Sequence, residues 1–329
     1  MVSGNKSLVL LLAIALAGCS TLQTRDQVRT SRPKTPVTTA PGGGHPPPET
    51  MTQEDEEEGA TSLPDLSSMP TPPPTRIPKV GLILGPGGAR AYAHIGVLQE
   101  FQKEKIPVVA AGGVEWGAVI AALYVNKGLA NEAEWQMSKL KSEDVVRKSL
   151  IGGSGAPGDL RGLGDFLKLA FGRSKAEEAR LPFACPANNL SKNQVFLMNK
   201  GTFEQMLPFC LAYPPAFRPW QGNVSAVREV KMLADHLRAR GATTIVLVNV
   251  LGLPNVSRPV AGGEGSAESV MWNEISAFYS RPLPGVDQVL TIPLGNTSVM
   301  AFDGRREILQ KGSEKGAPLV RQLAQRLGL

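Results

Sequence analysis

The sequence predicts an α/β domain built on a mostly parallel sheet with helices covering both faces. Three observations predict it. Short apolar runs alternate with stretches whose apolar residues recur at helical spacing, the rhythm of strands joined through helices. Glycine clusters stand at two junctions where a run must turn into a helix. The material for such a domain lies downstream of a proline-rich region, since 12 of the 27 prolines in 329 residues fall between Pro33 and Pro78.

The chain begins with an address. Lys6 precedes an apolar run from Leu8 to Ala17, too short to cross a hydrocarbon core of ~30 Å as a helix, and therefore read as the core of a secretion signal. The run ends in Leu16-Ala17-Gly18-Cys19, which resembles the lipobox of bacterial lipoproteins. That resemblance implies a signal peptide over 1–18 and a lipidated Cys19 as the mature N-terminus. Ser20 follows where an Asp would suggest inner-membrane retention, so a lipid anchor in the outer membrane of the bacterial cell envelope is expected. A plain cleavable signal with an incidental cysteine is the alternative. Lipidation contributes roughly 0.8 kcal/mol per buried CH₂, so the folded part needs no spanning segment of its own.

Residues 19–78 read as a disordered linker. Prolines, the Gly42–Gly44 triplet and the acidic run Glu54-Asp55-Glu56-Glu57-Glu58 offer too little apolar surface to offset the entropy of ordering the chain. Six of the 35 basic and eight of the 29 acidic residues lie in 1–78, leaving 29 against 21 and a net +8 for 79–329. Such a field favours anionic lipid or envelope polymers weakly, and solubility explains it as well. No basic patch interleaved with aromatics points to nucleic acid. Three cysteines and three dispersed histidines give no metal-ligand cluster, and no cofactor is predicted.

Within the domain, Val80–Leu84 is a short apolar strand ending in Gly-Pro-Gly-Gly, and Arg90–Gln102 carries Ala93, Val97, Leu98 and Phe101 at helical spacing. Val108–Ala111 is a second strand, stopped by Gly112-Gly113, and Ala118–Val125 is an apolar helix. A helix from about Ala226 to Ala239, closed by Gly241, precedes the clearest strand, Thr244–Val250. Val289–Ile292 gives another strand, and Arg306–Leu327 supplies terminal helices.

The first glycine turn, Gly85-Pro86-Gly87-Gly88-Ala89-Arg90, joins a strand to a helix start, where unpaired backbone N–H groups attract negative charge. A dinucleotide fingerprint fits poorly because Arg90 stands at its third glycine position. A tight turn without ligand is the other reading. The second turn, Gly113-Val114-Glu115-Trp116-Gly117, has the spacing of the nucleophile elbow G-x-S-x-G, with Glu115 where the serine belongs.

GLILGPGGARAYAHIGVLQEF followed by VVAAGGVEWGAVIAALY resembles the amino-terminal half of the bacterial patatin-like phospholipases. LPFACPANNL, CLAYPPAFRPW, ARGATTIVLVNV and MAFDGRREILQKG resemble the family's later segments, so the likeness covers 79–329. It implies a three-layer α/β/α fold and a Ser-Asp dyad, in which an elbow serine attacks an acyl ester while loop amides hold the oxyanion. Gly87, Gly88 and Arg90 match the oxyanion loop, whereas Pro86 replaces a glycine and cannot donate an N–H.

The dyad itself is missing. Glu115 occupies the serine position, and the Asp position falls near Ser225-Ala226-Val227, with no Asp between Asp165 and Asp235. A carboxylate nucleophile would need a base to turn over its adduct, and His94 and His236 are the histidines near the motifs. His94 is expected to pack or orient its helix. Glu115 is expected to turn its charge into the oxyanion loop. Trp116 could line an acyl groove or sit in the core, and Cys185 and Cys210 could pair or remain buried thiols. The expectation is a degenerate patatin-like lipoprotein that binds lipid, an acyl ligand or an envelope protein. The alternatives are an active lipid acyl hydrolase with a rearranged nucleophile and a purely structural envelope module.

Overall fold

A computed structural model describes residues 77–145, 160–253 and 266–329. The predicted signal segment, Cys19 and the linker up to residue 76 lie outside the described residues.

The central strand is β1 (Val80–Leu84), apolar throughout and buried at every position. β2 (Val108–Gly113) and β6 (Thr244–Asn249) flank it, both parallel to it. β3 (Phe183–Asn189) continues parallel beyond β2, and β7 (Gln288–Thr291) beyond β6. β4 (Gln194–Met198) and β5 (Asn223–Ser225) both run antiparallel to β3, giving the order β4-β3-β2-β1-β6-β7 with β5 branching from β3.

Side chains alternate across a strand, and here the alternation feeds two cores. Val80, Leu82, Leu84, Val246 and Val248 enter one, while Ile83, Ile245 and Leu247 enter the other. The first is closed by α1 (Tyr92–Lys103), α2 (Trp116–Lys127), α3 (Ala130–Met137), α4 (Leu163–Phe171), α5 (Phe203–Leu211) and α8 (Arg305–Leu327). The second is closed by α6 (Val230–Ala239) and α7 (Ala267–Tyr279). The result is the expected three-layer α/β/α domain with a mostly parallel sheet.

Beyond shifts of one or two residues at other ends, four elements differ from the sequence expectation. Gly112 and Gly113 do not stop β2 but complete it, because a Cβ at Gly112 would press on the Ala184 carbonyl of β3. The helix expected from Arg90 opens as a 3₁₀ turn over Gly88–Ala91 and becomes α-helical at Tyr92. The helix expected from Ala226 begins at Val230, since Ser225 still belongs to β5 and the Ala226 N–H donates to the Pro186 carbonyl. The expected terminal helices are a single one: α8 runs 23 residues through Pro318.

Cys185 of β3 and Cys210 of α5 are joined as a disulfide with Cα atoms 6.0 Å apart, which resolves the pairing that the sequence left open. No helix of the described residues is long and apolar enough to cross a membrane, and no cluster of ligating side chains among them could hold a metal ion.

Candidate functional site

The strand order reverses at β1, whose next strand in sequence lies to one side while β6 lies to the other. In open α/β sheets the crevice outside the carboxyl ends at such a point is where ligands are held. Leu84 pairs with Gly113 and with Val248 across the two ladders, so the glycine loop, the elbow and the chain after β6 share that edge.

The elbow forms because its glycines permit close approach. A Cβ on Gly113 would strike the Gly117 backbone, and one on Gly117 would strike the carbonyls of Leu84 and Gly85. Between them Glu115 stands at φ 55° and ψ −129° as the N-cap of α2, a conformation that costs a non-glycine residue about 1–3 kcal/mol. The turn over residues 113–117 therefore holds Glu115 at a strained apex between the end of β2 and the start of α2.

Glu115 is fully buried. Its Oε2 accepts hydrogen bonds from the N–H groups of Gly87, 3.0 Å, and Gly88, 2.9 Å. Among the described residues Oε1 has no partner of good hydrogen-bond geometry. Burial pushes the carboxyl up from 4.5 to about 7, with the N–H groups of Gly87, Trp116 and Gly88 pulling the other way. The Glu115 carboxyl thus occupies the free amides of the glycine loop.

Ser225, buried at the end of β5, lies beside it: its Oγ accepts the Glu115 N–H at 3.2 Å. Among the described residues no hydrogen bond joins the Ser225 hydroxyl to a carboxylate. The Glu115 carboxyl is bonded to the glycine loop, and the Ser225 hydroxyl meets the backbone of Glu115 instead.

Arg90 does not face an open anion site. Fully buried, it donates from Nη1 to the Leu251 carbonyl, 2.7 Å, and from Nη2 to the Gly295 carbonyl, 2.6 Å. Burial lowers its guanidinium to about 10, so it stays charged near neutrality. His94 is buried too, and its Nε2 lies 2.9 Å from the Gly85 carbonyl, which requires the proton on that nitrogen. Burial lowers its imidazole to about 4, against that hydrogen bond, so it is neutral near pH 7 with its Nε2 proton committed to the Gly85 carbonyl. Trp116 is also fully buried, its ring centroid 4.8 Å from Phe302 and 6.1 Å from Phe217. It is a core aromatic.

Two tyrosines near Glu115 escaped sequence reasoning. Tyr213 is half-buried, and Tyr279 is fully buried with its hydroxyl donating 2.7 Å to the Val227 carbonyl. Both phenols are raised by burial first, and both feel the charge of Glu115. Tyr213 lies within CLAYPPAFRPW, a segment that could have signalled it; Tyr279 had no signal.

A parallel three-layer domain with a strand–elbow–helix motif opposite a glycine loop defines the class of α/β hydrolase-like folds. Residues 82–230 match the model of the patatin-like phospholipases, so this part of the chain is a patatin-like phospholipase domain. An uncharacterized NTE family protein of Mycobacterium bovis is 28% identical over 158 residues, 46% of this chain and 43% of that protein. Lysophospholipase nte1 of Aspergillus fumigatus is 27% identical over 218 residues, 62% of this chain and 14% of that one. The chain spans less than half the length of these relatives. The crystal structure of VipD from Legionella pneumophila aligns at a TM-score of 0.45 and 10% identity over 74% of this chain and 66% of that one.

Proposed function

We propose that this chain is a membrane-anchored lipoprotein whose patatin-like domain binds lipid or an envelope partner and does not cleave esters. One observation carries the inert elbow: the Glu115 carboxylate accepts from both Gly87 and Gly88, so no substrate oxygen can use those amides while it is there. Loss of one member of a catalytic constellation elsewhere costs on the order of 10⁴ to 10⁶ in turnover, and here both dyad positions have changed type. The Cys185–Cys210 disulfide supports maturation outside the reducing cytoplasm, in keeping with export and anchoring at Cys19.

Assay of the purified protein on short-chain acyl esters and phospholipids is expected to give only background hydrolysis, unchanged in Glu115→Ala. Turnover that depends on Glu115 overturns the proposal. A second reading, an acyl hydrolase with a rearranged nucleophile, is favoured by the 3.2 Å approach of Ser225 to the elbow. Labelling of Ser225 by a fluorophosphonate probe, lost in Ser225→Ala, decides for it.

A further inference from the structure

Away from the elbow, α1, α3 and the start of α8 line a half-open cavity of about 290 Å³. That is near the lower end of small-molecule sites, roughly 300–1,000 Å³, and suits a headgroup better than a whole lipid. Its charged lining is Arg305 and Arg306 from α8 and Glu134 from α3, and Tyr92, Ile95 and Met137 complete the wall.

The arginines stand at the wrong end of their helix. They are the first two residues of a 23-residue helix with no side-chain cap at Gly304, where the macrodipole disfavours cations and favours an anion. Arg305 makes one bond of 3.3 Å to the Leu140 carbonyl. Arg306 is exposed and makes no hydrogen bond or ion pair among the described residues. The second observation is Tyr92: it is 2% exposed, lines the same cavity, and its hydroxyl has no hydrogen-bond partner among the described residues. Arg305 and Asp303 are the charges that act on that hydroxyl.

The acids decide the ligand class. Glu134 accepts 2.8 Å from Gln99 through one oxygen, and the other has no partner among the described residues, so a carboxylate faces the site as well as the two guanidinium groups. With Asp303 nearby the surroundings are close to neutral, which disfavours bare phosphate and favours a ligand carrying both signs. Ile95 and Met137 add an apolar wall. Next to Glu134, the Trp135 ring is 61% exposed with Lys139 Nζ 5.0 Å from its centroid, an aromatic–cation pair suited to a lipid–water boundary.

We propose that this cavity holds a zwitterionic phospholipid headgroup, the phosphate on Arg305, Arg306 and the Tyr92 hydroxyl and the ammonium on Glu134. The assignment names a ligand class for the lipid-binding half of the proposed function. Calorimetric titration of the full chain with dihexanoyl-phosphatidylethanolamine, dihexanoyl-phosphatidylglycerol, O-phosphoethanolamine and inorganic phosphate tests it. The ethanolamine lipid is expected to bind most tightly, Arg306→Gln to weaken it about tenfold or more, and Glu134→Gln to erase its advantage over the glycerol lipid. Arg321→Gln, exposed at the far end of α8, is expected to bind like wild type. Equal binding by wild type and Arg306→Gln, or no binding, overturns the assignment. O-phosphoethanolamine binding as tightly as the lipid overturns the lipid source, and phosphate binding as tightly overturns the zwitterion. Turnover and probe labelling at the elbow are read separately, so failure at this cavity leaves the closed elbow standing.

Discussion

The elbow and the start of α8 handle charge in opposite ways. At the elbow a carboxylate and a guanidinium are sealed from water, and each is met by backbone groups: Glu115 by two amides, Arg90 by two carbonyls. At the start of α8 two arginines stand against the helix dipole with one long bond between them. Buried charge without partners is too costly to persist, whereas exposed charge can wait for a ligand. The difference separates a region whose polar groups hold the protein together from one whose polar groups are still available.

Substitutions that test this contrast should differ in size. Arg90→Met strips the carbonyls of Leu251 and Gly295 of donors inside the domain and is expected to cost roughly 3–5 kcal/mol in calorimetric melting. A loss below 1 kcal/mol would mean the elbow region is not held by its charges. Glu115→Gln is expected to change the pH profile of stability. Below pH 4.5 the carboxyl is neutral whether the chain is folded or not; from there to about 7 the unfolded chain ionises first, so wild-type stability falls as pH rises. The span is on the order of 3 kcal/mol and should vanish in the variant. His94 acts in the other direction, with stability lost as pH falls from 6.5 towards about 4, but it is common to both proteins and cancels in their difference. Denaturant unfolding at pH 5 and pH 8 measures that difference, and parallel curves would refute the buried acid. The smallest effect belongs to α8: Arg306→Gln should gain a few tenths of a kcal/mol in thermal melting, because a misplaced cation is removed. A clear loss would reveal a structural partner for Arg306.

The strands that build the site could be read directly, because β1 and β6 are apolar runs buried on both faces. Glycine spacing marked the elbow, and its steric reason is visible in the contacts a Cβ would make at Gly113 and Gly117. The segments that form β3 and β5 were located only through resemblance and counting, and β5 was not foreseen as a strand, since it is three residues long and Pro186 interrupts the pattern of β3. Matching Arg90 to a family position could not reveal that its side chain turns inward, because that depends on carbonyls 161 and 205 residues further along the chain. The pairing of Cys185 with Cys210 likewise needed a Cα separation that only the fold provides. The arginine pair on α8 was hidden by averaging: a net charge spread over the domain says nothing of two cations facing one carboxylate across a cavity.

Arg90 also constrains motion. Its guanidinium fastens the chain after β6 and the turn at Gly295 to the helix that follows the glycine loop, so these three segments must travel as one body. Partial opening beside Glu115 would leave a cation stranded in an apolar interior. Access to the elbow would therefore come as an all-or-none event with a high barrier, detectable as a single slow cooperative phase of amide exchange spanning all three segments.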